Sequence, residues 1–321
     1  MNQPQLVIIT GPTATGKTTL AIELATRYEA EIVSADSRQV YRYLDIGTAK
    51  PTPAQQAKVP HHLLDVVSPD EQFDGARFRT LALAAIQDIV RWGKRVFVVG
   101  GTGLYLRALT HGLFPGPPAD QALRTRLHEQ EKNEGRGFLH RWLRSVDQEA
   151  AARLHRNDTV RLIRALEVFL LTGAPLSHWQ HEHGFRERPF STLTIGLVLE
   201  RETLHRQIEE RCQQMARDGL LEEVRRAWNM GYGPNLPALQ TIGYAQMGAV
   251  LQGRVRYEEA ITQIATETKR LAKRQLTWLR PDPDVRWFTP TQRQDITAAV
   301  DAFLNAGEKR ESSHADHISG F

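Results

Sequence analysis

The stretch GPTATGKT at residues 11–18 fits the spacing G-x-x-x-x-G-K-T. Gly11, Gly16, Lys17 and Thr18 take the fixed places, with Pro12, Thr13, Ala14 and Thr15 between them. Glycines let backbone N–H groups approach phosphate oxygens, and a helix N-terminus adds partial positive charge beside them. In this pattern the lysine reaches the terminal phosphates and the threonine hydroxyl is a ligand for Mg2+. The chemistry expected here is the holding of a phosphate chain, with Mg2+ at Thr18. The pattern carries weight only between a strand and a helix. QLVIITG precedes it, and KTTLAIELATRY places Leu20, Ala21, Leu24 and Ala25 at helical spacing after it.

Two other stretches bear on that chemistry. EIVSAD ends in Asp36, and RVFVVGGTG runs into Gly100, Gly101, Thr102 and Gly103. An ATPase or GTPase places an Mg2+-binding aspartate at the end of such a strand. Here RVFVVGG ends in glycines instead, and no arginine-rich lid of the small-kinase kind is visible. Asp36 can be read as a divergent metal-ordering residue, which leaves a diphosphate cradle without an evident hydrolysis kit. A strand that runs into glycines brings backbone close to a ligand, or makes a tight turn with no ligand.

These residues need elements to hold them. EIVSADS and RVFVVGGTG read as second and third buried strands, with the amphipathic helix ARFRTLALAAIQDIVRWG between them. Strand, helix, strand, helix, strand implies parallel βαβ units covered by helices. STLTIGLVLE (residues 191–200) and VRWF (residues 285–288) are later strands. From 120 to about 189 only helical periodicity is found, entered through LFPGPPAD and left through GFRERPF. The expected organisation is an α/β core over 1–118 and 191–305, a helical insertion over 119–190, and a polar, disordered tail over 306–321.

The bulk numbers set outer bounds. The 321 residues are 41% hydrophobic, enough for one large domain or two modest ones. One cysteine, Cys212, excludes a disulfide framework and a cysteine-built zinc site. No signal-peptide pattern and no apolar run of membrane-spanning length is seen, so a cytoplasmic protein is expected. Net charge is +4, with Lys and Arg gathered over 124–164 and 269–280. Such bands suit a polyanionic partner or simply solvated helix faces.

Read together, GPTATGKT, SADSRQVYRYLDIGTAKPT, VPHHLLDVV, FVVGGTGLYLRAL, ARLHRNDTVRLIRALEVFLLTG and TKRLAKRQLTWLR resemble, in order, the blocks of bacterial tRNA dimethylallyltransferases, from residue 6 to 288. The resemblance implies a P-loop NTPase-like core with a parallel β-sheet flanked by helices, plus an all-helical insertion domain. It implies transfer of a dimethylallyl group from dimethylallyl diphosphate to N6 of adenosine 37 in the tRNA anticodon stem-loop. The loop at 11–18 would then grip a leaving diphosphate rather than a phosphoryl group to be moved. By the same resemblance Asp36 accepts the proton of the attacking amine, Thr102 faces the reacting centre and the tRNA, and Arg225 lies near the diphosphate. Arg226 beside it leaves that last assignment open by one position. The tRNA contacts so implied are Asp36, Ser37, Arg38, Gln39, Thr102, Arg124, Val160, Arg161, Leu162, Ile163, Arg164, Lys273 and Arg274, with Ser37 and Gln39 on the adenine edge.

The chemistry is coherent. A departing diphosphate gains charge that Lys17, the loop amides and Mg2+ would stabilise where it develops. An exocyclic amine is a weak nucleophile that a carboxylate helps, and a stacked base must be turned out to be reached. Departures from the family pattern are Ala245, where a cation is frequent, and Val160, where a polar residue is frequent. His61 and His62 read as a polar turn, and His178, His181 and His183 as an exposed cluster. A monomer is expected. The rivals are an adenylate isopentenyltransferase, a small-molecule P-loop kinase, and a tRNA-binding protein without catalysis.

Overall fold

The computed structural model describes residues 3–318, with side chains through 306. The chain opens with β1 (Gln5–Thr10), α1 (Lys17–Arg27) and β2 (Ala30–Ser34). Next come α2 (Pro53–Lys58), β3 (His61–His62), α3 (Gly75–Arg91), β4 (Arg95–Val99) and α4 (Gly103–His111). Five helices follow: α5 (Gln121–Asn133), α6 (Phe138–Val146), α7 (Gln148–Arg153), α8 (Thr159–Thr172) and α9 (Leu176–His183). The chain ends with β5 (Ser191–Leu197), α10 (Arg201–Arg217), α11 (Leu220–Asn229), α12 (Tyr244–Leu251), α13 (Tyr257–Leu279), β6 (Val285–Phe288) and α14 (Arg293–Ile318).

The strands form one parallel sheet in the order β3-β2-β4-β1-β5-β6. Parallel strands joined by crossover helices are covered on both faces, so they read as unbroken apolar runs. Val7, Ile9 and Phe97 on one face meet Leu20 and Leu24 of α1 and Ile296, Val300 and Leu304 of α14. Leu6, Ile8 and Val98 on the other meet Phe78, Ile86 and Ile89 of α3 and Leu109 of α4. From β1 the chain first builds towards β4 and β2, and later returns to its other side with β5. Open α/β sheets bind ligands at such a switch point, outside the carboxyl ends of the strands. The loop at 11–18 leaves β1 there.

Two glycines make this crossing possible. Gly11 has φ +137°, and a Cβ on it would lie 2.4 Å from the Leu197 carbonyl oxygen. A Cβ on Gly100 would lie 2.1 Å from the Ala35 carbonyl oxygen. Only a residue without a side chain lets β1, β4 and their neighbours converge so closely.

The chain divides into two compact units, Met1–Thr110 with Pro189–Phe321, and His111–Arg188. The second unit thus begins at the end of α4, not at 119, and ends at 188, not 190. The LFPGPPAD segment belongs to the helical unit rather than to the core. That unit is built from Leu123, Leu127, Leu139, Leu143, Leu162 and Leu166. Three of its helices, α5, α7 and α8, start on aspartates: Asp120 accepts from the Leu123 N–H at 2.9 Å, and Asp147 from that of Ala150 at 2.9 Å and also from that of Ser177 in α9 at 3.0 Å.

Three sequence expectations change. His61 and His62 form an edge strand rather than a turn, paired with Ile32 and Val33. The His61 ring lies 2.7 Å from the Val59 carbonyl and that of His62 2.6 Å from Glu31 Oε2. Histidines 178, 181 and 183 are not one cluster, because each faces a different glutamate, Glu182, Glu149 and Glu187. Helix α14 continues to Ile318, into the tail expected to be disordered from 306. Ile296, Val300 and Leu304, spaced one turn apart, anchor its start on the core. Residues 319–321 lie outside the described residues.

Candidate functional site

The phosphate loop is held by its own atoms and by two distant helices. Lys17 Nζ donates to the Pro12 carbonyl at 2.6 Å, and Thr15 Oγ1 donates to the same oxygen at 2.9 Å. Ala14 and Gly16 both have positive φ, +64° and +81°, which turn the backbone into α1. Gly16 offers no side-chain cap and the first turn of α1 has no acidic residue, so an anion is the natural partner of its amides. Thr18 sits in that first turn. From α13, Gln275 accepts from the Thr13 N–H at 2.9 Å and donates to the Gly101 carbonyl at 3.1 Å, tying the loop to the glycine turn after β4. From α10, Arg211 Nη1 donates to Thr13 Oγ1 at 3.1 Å.

The charges here act on one another. Burial, and next the Arg211 charge, lower the Lys17 ammonium to about 8, while Asp36 opposes them. Burial also lowers Arg211, again against Asp36. Two desolvated cations with one carboxylate make a receptor for an anion.

Asp36 follows β2. Its Oδ1 accepts from the N–H groups of Arg38 at 2.8 Å and Gln39 at 3.4 Å, which orients the carboxylate. Its Oδ2 makes no hydrogen bond among the described residues. Thr102 Oγ1 accepts from the Ser37 N–H at 3.1 Å, and the Thr102 N–H donates to the Ala35 carbonyl at 3.3 Å. The ends of β2 and β4 therefore bring Asp36, Ser37 and Thr102 together beside the loop. Arg38 is exposed next to them.

Other expected residues stand elsewhere. Arg225 lies on the outer side of α11, exposed and paired with Glu222, because Leu220, Val224 and Ala227 form the buried side of that helix. The arginine at the loop is Arg211. Gln39 is tied up within the protein: Nε2 donates to the carbonyls of Thr48 at 3.3 Å and Ala49 at 3.1 Å, and Oε1 accepts from Ser34 at 3.2 Å. Both amide hydrogens hold the following turn, so neither is free for an adenine edge.

Lys273 and Arg274 are exposed on α13, two and one residues before Gln275. Trp278 further along packs on the glycine turn, where a Cβ on Gly103 would lie 2.1 Å from its ring.

Within the helical unit, Arg124 and Arg164 are not free surface cations. Arg124 clasps the fully buried Glu167 at 2.8 and 2.9 Å, and Arg164 meets it at 2.5 Å. Burial pushes the Glu167 carboxyl up, but hydrogen bonds from the two arginines outweigh this and hold it below the usual range. Leu162 and Ile163 are core residues, since α8 turns that face inward. Val160 and Arg161 are the exposed members of the stretch, 77% exposed for Val160, with Arg161 3.4 Å from Asp158.

Sequence reasoning missed Arg211, Gln275 and Glu167, and also Glu223. The Glu223 carboxylate is 2% exposed. It accepts from the N–H groups of Asp45, Ile46 and Gly47 at 2.9, 2.8 and 3.2 Å and from Tyr244 Oη at 2.6 Å. Lys50 adds bonds to Asp45 at 2.5 Å and Asp65 at 2.6 Å. Together they fix the long loop that leaves Asp36. An acidic residue in the middle of an apolar helix face was the available signal for Glu167 and Glu223.

A phosphate loop at the switch point of a parallel sheet, two partly buried cations and an oriented carboxylate define a P-loop NTPase-like protein whose site pairs an anion cradle with a carboxylate. Comparison with known proteins narrows this. The model of the family described as IPP transferase matches residues 39–282, and that described as isopentenyl transferase matches residues 4–70. A tRNA dimethylallyltransferase of Geobacter metallireducens is 52% identical over 94% of this chain and 98% of its own length. The tRNA dimethylallyltransferase 2 of Syntrophus aciditrophicus is 48% identical over 95% and 98%. Among solved structures, the tRNA isopentenylpyrophosphate transferase of Bacillus halodurans superposes with TM-score 0.71 at 38% identity, covering 97% of this chain and all of that one. A eukaryotic dimethylallyltransferase acting on tRNA gives TM-score 0.76 at 26% identity, over 96% and 80%. The chain belongs to the IPP transferase family.

Proposed function

We propose that this chain transfers the dimethylallyl group of dimethylallyl diphosphate to N6 of adenosine 37 in the anticodon loop of tRNA and releases diphosphate. The observation that carries the reading is the pairing of Asp36, with one oxygen uncommitted, and the Lys17–Arg211 cation pair at the loop. The allylic C–O bond breaks and its electrons pass to the diphosphate, whose growing charge Lys17, Arg211 and the loop amides stabilise. The N6 lone pair forms the new C–N bond, and the N6 proton passes to Asp36. Ser37 and Thr102, joined at the ends of β2 and β4, border the place where the adenine must come. Mg2+ would be held by the Thr18 hydroxyl, with diphosphate oxygens and water completing its shell, since no group of three ligating side chains exists among the described residues. Bound there, it would neutralise diphosphate charge.

The tRNA is proposed as substrate from the names of the relatives and from exposed cations, Lys273 and Arg274 on α13 and Arg161 on α8. Those cations have no use in prenylating free AMP. No helix among the described residues is long and apolar enough to cross a membrane, and we place the enzyme in the cytoplasm, as a monomer, with its tRNA.

Labelled dimethylallyl diphosphate, Mg2+ and either unmodified tRNA or AMP test the reading. Label is expected in tRNA at adenosine 37. Label in AMP alone would replace the reading with its nearest rival. Asp36→Ala is expected to keep tRNA binding and to slow transfer by about 10²-fold or more, the range for a lost general base. Undiminished turnover removes Asp36 from the mechanism.

A further inference from the structure

Tyr43 holds a backbone conformation that bulky residues avoid. Its φ is +67°, in the left-handed region. Its side chain is nevertheless 45% exposed, so burial does not offset that strain. The ring stacks on Tyr232, with centroids 5.9 Å apart and planes at 25°. Met230, two residues before Tyr232, is 51% exposed. Both segments are fixed. The Tyr232 N–H donates to the Ala227 carbonyl at 3.0 Å, after Gly231 at φ +93° ends the run of α11. Glu223 on the same helix anchors the loop just beyond Tyr43 through the N–H groups of Asp45 and Ile46.

Two exposed arginines lie close to the rings in the chain, Arg42 beside Tyr43 and Arg226 six residues before Tyr232. Arg42 is exposed and donates to a neutral carbonyl, that of Asp65, at 2.8 Å. Arg226 on α11 is exposed and has no ion-pair partner among the described residues. Strain kept at an exposed aromatic is the kind of outlier from which function is inferred. Aromatic faces flanked by guanidinium groups are what unpaired RNA bases stack on. The platform leaves the sheet from the same strand end as Asp36, seven residues further along.

We propose that Tyr43 and Tyr232 form a stacking platform for one unpaired base of the anticodon loop other than the base to be modified, with Arg42 and Arg226 turned to its phosphates. The platform would hold the loop open and so present the target base to Asp36. This rests on the tRNA reading above.

Prenylation kinetics on an unmodified anticodon stem-loop test it, together with fluorescence of stem-loops carrying 2-aminopurine at each unpaired position in turn. Tyr43→Ala is expected to raise KM for the RNA about tenfold, within the range for one lost base stack. KM for dimethylallyl diphosphate, kcat and the salt slope of RNA binding should stay within twofold, since no charge is removed. Tyr43→Trp should keep the wild-type KM. One loop position should be quenched by the wild type and the Trp variant but not by the Ala variant. Tyr43→Gly suits the positive φ and separates stacking from folding. Wild-type RNA affinity in that variant would refute the platform. A fall in kcat or a change in the donor KM, with RNA affinity intact, would also overturn it, because the loop would then be acting on the reacting centre. If the wild type modifies no tRNA, the functional reading fails, and position-specific quenching of the stem-loop by the protein alone decides the platform.

Discussion

Lys17 is expected to weaken the fold that it serves. Its ammonium is brought from an ordinary 10.5 to about 8, by burial first and by Arg211 second. At 1.36 kcal/mol per unit, keeping it charged in the free protein near neutral pH costs about 3 kcal/mol. Lys17→Met removes that cost and the hydrogen bond to Pro12. The lost bond is worth about 1 kcal/mol, and the Pro12 carbonyl still accepts from Thr15 at 2.9 Å. The variant should therefore be more stable than the wild type by about 2 kcal/mol at pH 7, or about 3 °C in Tm for a chain of this size. The gain depends on pH in a defined direction. Between about 8 and 10.5 the unfolded chain still carries the proton that folded Lys17 has lost, so wild-type stability rises with pH across that window. The advantage of the variant is full below about 8 and shrinks as the pH climbs towards 10.5. A diphosphate in the loop reverses the balance, because its charge favours the ammonium. Inorganic diphosphate should stabilise the wild type, less so above pH 8, and should leave Lys17→Met nearly unchanged. Denaturant titrations at pH 7, 9 and 10, with and without diphosphate, give all of these quantities. A variant less stable than the wild type at pH 7 would show that the desolvated ammonium is not under strain and would sink the reasoning.

Arg211→Ala should lower kcat/KM for dimethylallyl diphosphate about 10²-fold, the scale of one lost donor to a developing anion, whereas Arg225→Ala should stay within twofold; equal effects in steady-state assays would return the role to Arg225. Glu167→Ala should destabilise the helical unit by about 1–3 kcal/mol, because two partly exposed arginines lose their shared buried partner, and a chemical melt matching the wild type would contradict the buried cluster. Since the folded Glu167 carboxyl sits below the usual range, its stabilisation is present above about pH 4.5 and is lost on acidification through the lower folded value, which an acid titration of helical signal in wild type and Glu167→Gln would detect as a gap that closes at low pH.

What was legible in the sequence was local. Gly11 to Thr18 announces itself because the pattern, its strand and its helix are contiguous. Asp36 and Thr102 are legible for the same reason, each at the end of a strong apolar run. The helical unit was visible as periodicity, although its first residue was not, because the Pro- and Gly-rich entry has no period. What was missed depends on packing between distant segments. Arg211 and Gln275 lie 198 and 262 residues from Thr13, their partner in the loop. Nothing in their own helices sets them apart from the exposed polar residues beside them. Arg124 and Arg164 were read as surface cations by type, yet a carboxylate three residues beyond Arg164 on α8 draws both inward. His61 and His62 pair as a strand too short to show alternation, and only the neighbouring Ile32 and Val33 make it one.

The geometry also says why a phosphate loop here suits a leaving group. In a nucleotide hydrolase one acidic residue orders the metal at the strand end and another group orders the nucleophile. At the end of β4 this chain has Gly100, where even a methyl group would meet the Ala35 carbonyl at 2.1 Å. No acidic side chain fits there without parting β2 from β4. Among the described residues, the one carboxylate that acts on both Lys17 and Arg211 is Asp36. Its Oδ1 is committed to the Arg38 and Gln39 amides, which leaves a single oxygen for chemistry. A site with one such carboxylate can take one proton, here at its uncommitted oxygen. That matches an amine that must lose a proton as it attacks, while the departing diphosphate needs no proton and only needs its charge held. Replacing Gly100 to restore an acidic strand end should therefore disrupt the sheet before it creates a hydrolase, and the closeness of Ala35 to Gly100 is what binds the architecture of the core to the kind of reaction it supports.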